Sequence, residues 1–362
     1  MSEKTNNMTL DETFVRKFAF REFEGSRRGR LWRIWSIATF NMIHQWNRST
    51  WLKILFGFIV FIYVIQNMVL LALKDMFLNP SMGGTLTPNE FFVRQLRGIA
   101  GGMVQFTNTI MSEGGTTVSI GGTSVFILIC VVLMGAGLIA DDMQFKATEV
   151  YYAKLNRSEY ILGKFGAFFL FGNLIFTLPV VLEWLLLGIG IGNVDMIAAL
   201  PVLIEMIIFT EVITLVYGSI ALAFSSLTSN RLYAGVSMFI VIFLISIIVP
   251  SLTFQATEFT PLIYLDIFSA LFVFGKILAG EKTVEWLGAQ GSVTLDLTSV
   301  EGLIVIPIIG FYILAGLAIV AFQVYKGQSQ EIMRNILGRF SKLLLQTQRT
   351  FMRKQTLKEE GF

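Results

Sequence analysis

Six stretches of about 20 mostly apolar residues dominate what this chain can fold into. They run from about Trp51 to Leu73, Thr123 to Ala140, Phe165 to Gly192, Met196 to Phe224, Arg231 to Pro250 and Gly302 to Tyr325. Each is long enough to cross a hydrocarbon core as a helix that satisfies its own backbone hydrogen bonds. The expected fold class is an all-α polytopic membrane protein with six transmembrane helices. A β-barrel is excluded, because its strands would be about 10 residues long and alternate in polarity. Composition agrees: 54% of residues are hydrophobic and 15% charged, and the apolar residues are gathered in the long runs.

The segments between the runs set the orientation. Of the 28 Lys and Arg residues, all but Lys74, Arg94, Arg97, Lys276 and Lys282 fall in residues 1–53, in the 141–164 hairpin, at Arg231 or in the tail 326–362. Positive charge is retained on the cytoplasmic side. Both termini and the hairpin are therefore expected in the cytoplasm, and the two large loops, 75–121 and 251–301, outside. The +3 net charge follows from this orientation, so no nucleic-acid partner is needed. Pro261–Gly280 is apolar, but it contains Asp266 and Lys276, which are costly at the bilayer centre. Were it to cross, the basic tail would be exported. It is expected to be re-entrant or to lie on the surface.

Residues 29–50 show helical periodicity, with Leu31, Trp35, Ala38, Met42 and Trp46 on one side and Arg30, Arg33 and Arg48 nearby. Trp and Arg on one helix suit the membrane–water interface. The tail 326–362 interleaves Ile332, Ile336, Phe340, Leu343 and Leu344 with Arg334, Arg339 and Lys342. It reads as a basic amphipathic helix on membrane lipids. Loop 75–121 holds four Gly-Gly pairs and reads as irregular, apart from an amphipathic helix within Asn89–Ile110. One Cys (Cys130) and one His (His44) exclude an intramolecular disulfide, Cys metal sites and His clusters. The signature Gly-x-x-x-x-Gly-Lys-Ser/Thr does not occur, so no cofactor is expected in this chain.

The hairpin between the second and third runs carries the most information. It reads Ile139-Ala-Asp-Asp142, Ala147-Thr-Glu149, Tyr151-Tyr-Ala-Lys154 and Arg157-Ser-Glu-Tyr-Ile-Leu-Gly-Lys164. This pattern resembles the type-2 permease family, the membrane-spanning subunits of ABC exporters. The helix before the first run is similar to that family's elbow helix, and Phe259-Thr-Pro-Leu-Ile-Tyr264 to its external Ser/Thr-Pro-Leu segment. The family's frequent Pro before the Ser/Arg step is replaced here by Lys154-Leu-Asn-Arg157.

The resemblance implies two copies of this chain assembled with two copies of a separate ATP-binding subunit, in a prokaryotic cell membrane. ATP and Mg would be bound by that partner, and this chain would not itself be an enzyme. The partner would dock on the hairpin, through Met143, Lys146, Glu149, Tyr152, Lys154, Arg157 and Tyr160.

Three glutamates, Glu183, Glu205 and Glu211, lie inside the runs. Ionisable residues in a span mark candidate functional sites. Glu205 and Glu211 project on different faces of one helix, and Glu183 is expected to approach Glu205 in the outer half. Two readings stay open: interhelical hydrogen bonding, or a translocation path for a cation or proton. Rivals to an exporter are an ion- or proton-coupled secondary transporter using these glutamates, and a membrane anchor for a soluble partner.

Overall fold

The protein, seen in a computed structural model, is described over residues 29–82, 84–102, 109–111, 117–119, 123–148, 151, 155–255, 260–288 and 291–326. Six helices are long and apolar enough to cross a membrane, as the apolar runs require. In chain order the helices are α1 (Arg30–Arg48), α2 (Thr50–Leu78), α3 (Pro88–Gly102), α4 (Ser124–Gln144), α5 (Arg157–Ile191), α6 (Leu200–Leu227), α7 (Arg231–Gln255), α8 (Ile267–Leu278) and α9 (Val300–Lys326). All but α1, α3 and α8 are spans. The basic tail beyond Lys326, residues 1–28 and Phe259 lie outside the described residues.

The spanning helices overrun the apolar runs, because helix propensity and capping carry them into polar sequence. The second reaches Gln144 and the third begins at Arg157, so the polar connection is about half as long as the expected 141–164 hairpin. Asn156 begins the third span, its backbone N–H donating to Glu159 Oε2 at 3.4 Å.

α6 is the centre of the bundle. The most apolar stretches of α4 and α6 are 78% and 61% buried, against 17% for α2 and 22% for α9. Small residues let α6 come close to its neighbours. A Cβ on Gly135 would meet Ala221 at 2.4 Å, one on Gly172 would meet Thr214 at 2.3 Å, and one on Gly316 would meet the Ser219 backbone at 2.8 Å. Packing of this kind drives helix association in lipid, where no hydrophobic force does. The α5 ladder widens to a π turn at Asn173–Thr177, just before Pro179.

Two segments dip into the bundle from the end opposite Arg48 and Arg157. The first is α3, started by a capping box: Thr87 N–H donates to Glu90 Oε2 at 2.9 Å and Glu90 N–H to Thr87 Oγ1 at 3.2 Å. Pro88 sits at its first turn. α3 descends along α6, from the Asn89–Asp195 contact (2.9 Å) to the Arg97–Glu205 pair (2.9 Å). The first loop is thus more ordered at its start than its glycines suggest, and the helix ends at Gly101-Gly102.

The second is a 3₁₀ turn, Thr260–Leu265, followed by α8. The Tyr312 hydroxyl donates to the carbonyls of Tyr264 and Leu265 at 3.2 and 2.8 Å. Tyr312 lies about four turns, roughly 21 Å, along α9 from Lys326. The turn is therefore deep in the bundle. Asp266 is buried there and capped on every side: it accepts from Phe268 N–H (3.3 Å), Ser269 N–H (2.9 Å) and the hydroxyls of Ser269 and Ser246 (2.6 Å each). From Phe268 against Tyr217, α8 climbs back to Phe274 against Phe209. The turn and α8 thus pack inside the bundle, against α6 and α9. A β-hairpin (β1, Thr283–Gly288; β2, Gly291–Asp296) then leads to α9.

Candidate coupling site at the basic end

The short connection between α4 and α5 rests on a network of buried charge. Asp141 and Asp142 end the second span, and Glu159 and Lys164 open the third. Lys164 is 1% exposed. Its ammonium pairs with Asp142 Oδ2 at 2.6 Å and donates to Asn41 Oδ1 at 2.7 Å. The Tyr160 hydroxyl donates to Asp142 Oδ2 at 2.8 Å. The ammonium also lies 5.6 and 5.4 Å from the ring centroids of Tyr151 and Tyr160, where the ring faces attract a cation. Burial pushes the Tyr151 hydroxyl up from its ordinary value, and the Asp142 charge adds to the shift.

α1 closes the network from the side. Its protein-facing stripe is Ala38, Asn41 and Gln45, all buried. Gly163 and Gly166 let it lie close on α5: a Cβ at Gly163 would meet Ile37 at 2.6 Å, and one at Gly166 would meet Ala38 at 3.1 Å. Arg33 pairs with the wholly buried Glu159 at 2.9 Å, with Arg30 at 3.7 Å. Arg48 and Gln45 both bind Asp141 Oδ2. On the Leu31–Trp46 side, Leu31 and Trp35 are exposed and Ala38 is buried, and the polar stripe Asn41 and Gln45 faces the protein. His44 is exposed and stacks on Phe40.

Burying four charges without partners would cost several kcal/mol each. Here Asp142, Glu159 and Lys164 find opposite charges directly, and Asp141 finds Arg48. The arrangement joins α1, α4 and α5 into one unit beneath the connection. Lys146, in this connection, has a left-handed backbone (φ 54°), which turns the chain sharply, and its side chain is exposed.

The expected contact residues separate into three groups. Lys146 is exposed, and Arg157 is half-buried. Arg157 donates to the Val324 carbonyl at 2.7 Å and lies over the Tyr325 ring, tying α5 to α9. Met143 is half-buried against the core and Tyr160 is wholly buried. Glu149, Tyr152 and Lys154 lie outside the described residues.

The sequence reading passed over Asp141, Asp142, Glu159 and Lys164 as site residues, and Arg33, Asn41, Gln45 and Arg48 as their partners. The available signal was the spacing of Asn41, Gln45 and Arg48 along one face of α1, opposite an Asp-Asp step.

The intramembrane glutamates have three different environments. Glu205 pairs with Arg97. Glu211 accepts from Asn173 Nδ2 at 3.3 Å, beside a Thr177–Thr210 contact of 3.0 Å. Glu183 is 1% exposed and neither of its oxygens has a hydrogen-bond partner among the described residues. It forms no bond to Glu205, which sequence reasoning had expected it to approach. Glu205 and Glu211 do project to different neighbours, α3 and α5.

An open apolar groove of about 600 Å³ runs between α4 and α7. Leu133, Gly235 and Phe239 are among its lining, and Arg231 sits at its basic end. Arg231 donates to the Leu133 carbonyl at 2.7 Å. No group of His, Cys, Asp and Glu fit to hold a metal occurs among the described residues. Comparison with protein-family models and with curated proteins finds no match.

Proposed function

We propose that this chain is the membrane-spanning permease subunit of an ATP-driven ABC exporter. The observation that carries the reading is the clamped connection between the second and third spans. Force applied to a short loop reaches the spans only if its base is rigid. Here Lys164–Asp142 ties the two sides of the base together, and Arg33–Glu159 and Arg48–Asp141 pin it to α1. A solvated loop has no need of buried charge beneath it.

In this reading the basic end is cytoplasmic, in keeping with the distribution of Lys and Arg. A separate ATP-binding subunit grips the connection around Lys146, and two copies of each chain assemble. ATP and Mg belong to that partner. In this reading the groove at Arg231 takes an apolar or amphipathic cargo.

The test is purification from the native membrane in mild detergent. A stoichiometric companion carrying a Walker A sequence, with vanadate-sensitive ATPase activity, is the expected result. A chain that comes alone and transports under an ion gradient supports the secondary-transporter reading instead.

A further inference from the structure

Buried polar atoms without partners are few in a native protein, and each calls for a ligand, a water or a function. Among the described residues some lie at the basic end, on Arg33, Gln45 and Asp141, where a charged partner is at hand, and a second group lies in the far halves of α2, α3, α5 and α6. Both oxygens of Glu183, Asn67 Oδ1, Trp184 Nε1, Arg97 Nε and Glu205 Oε1 are all buried without a hydrogen-bond partner among the described residues.

The helix registers bring these groups to one level. The Thr177–Thr210 contact fixes α5 against α6, which sets Glu183 opposite Ile204 and Glu205. The Leu71 side chain lies against Gly190, and Lys74 Nζ donates to the carbonyls of Gly190 and Ile191 at 3.0 and 3.3 Å. That sets Asn67 about one turn from Glu183 along the helix axis. Glu183 shares a stripe with Leu187 and Ile191, which pack on Phe91 and Phe92 of α3.

The charges nearby are already committed. Arg97 pairs with Glu205, Lys74 is held about two turns away on carbonyls, and Glu211 is bonded to Asn173. Tyr63 supplies a neutral hydroxyl on the α2 face. Among the described residues no cation pairs with Glu183, and an isolated carboxylate in a medium of low dielectric neutralises itself.

We propose that Glu183 is a proton-binding site: its carboxyl group carries a proton inside the membrane at neutral pH, with the orphaned atoms around it holding the water that delivers it. A single proton balances the charge of the Glu183, Glu205 and Arg97 set. The site is independent of the exporter reading, since it makes no use of the clamped connection or of ATP.

Infrared difference spectra of the full chain in lipid vesicles test this at neutral pH. A protonated-carboxyl C=O band that shifts in deuterated water is expected. It should vanish in Glu183→Gln, persist in Glu205→Gln, and persist when sodium is raised at constant pH. A band unchanged in Glu183→Gln overturns the proposal. So does a band that sodium removes, which makes a metal cation the ligand.

Wild-type protein gives a second readout that needs no variant. Dicyclohexylcarbodiimide adds the acid O–H across a C=N bond, and the acyl group then migrates to nitrogen, so all atoms are kept in an N-acylurea. Mass spectrometry should find the adduct on Glu183. Modification confined to Glu205 or Glu211 contradicts the proposal.

Discussion

Beneath the α4–α5 connection, Asp142 meets an ammonium and a phenol, Glu159 meets two guanidinium groups and Asp141 meets another. In the far half of the same bundle, neither oxygen of Glu183 meets a partner among the described residues, whereas Glu205 meets Arg97. Both clusters bury carboxylates, and they differ in how fully they are paired. A network in which every buried carboxylate meets an opposite charge holds its members in one geometry. An under-paired one leaves room for water and for a change of protonation state. One bundle thus has an end whose buried carboxylates meet opposite charges and an end where Glu183 does not.

The largest expected effect comes from breaking the paired end. Lys164→Met leaves Asp142 buried with only a phenol donor, and should cost about 3–5 kcal/mol. Thermal unfolding in detergent reads the loss, and adding Asp142→Asn should restore most of it. By contrast, Glu183→Gln should shift the midpoint little, since a neutral acid is replaced by an amide of the same shape. Equal losses at both sites would erase the comparison.

Next in size is Gly163→Val. Its side chain would enter the space of Ile37 and should cost about 1–3 kcal/mol by overpacking. Hydrogen exchange should rise in α1 and stay unchanged around Arg97. A uniform rise would mean that the clamp is not a local unit.

Arg97→Gln sharpens the far side. The Arg97–Glu205 pair is one-third exposed on the Arg side chain, so solvent screening reduces its contribution to about 1 kcal/mol. The double variant with Glu205→Gln should recover that loss.

The smallest effect is at the start of α3. The Thr87 N–H and hydroxyl hold the Glu90 carboxyl below its ordinary range. A lowered folded-state value means the cap stabilises above the unfolded value and is lost as pH falls through the folded one. Hydrogen exchange at the first turn of α3 should therefore rise in acid, and the rise should be absent in Glu90→Gln.

The six spans were legible because apolar length alone decides them. The ends of the spans were not legible. Apolar runs stop where hydrophobicity stops, whereas the helices continue through Asp141 and Asp142 on one side and begin at Arg157 on the other. The clamp was hidden for a related reason. Most of its partners lie about a hundred positions apart in sequence. Glu183 and Glu205 stood out as glutamates in apolar sequence. Which of them is paired depended on α3, whose Arg97 lies in a glycine-rich loop.

The most direct test of the account places a single reactive cysteine in the connection. Cys130 is buried, so Lys146→Cys introduces the one accessible thiol among the described residues. Cross-linking in native membranes should join Lys146→Cys to a second polypeptide that carries a Walker A sequence, and should leave Ser81→Cys, at the opposite end, unjoined to it. A Lys146→Cys protein that links only to its own copies or to nothing, in membranes where the chain is intact, would contradict the account.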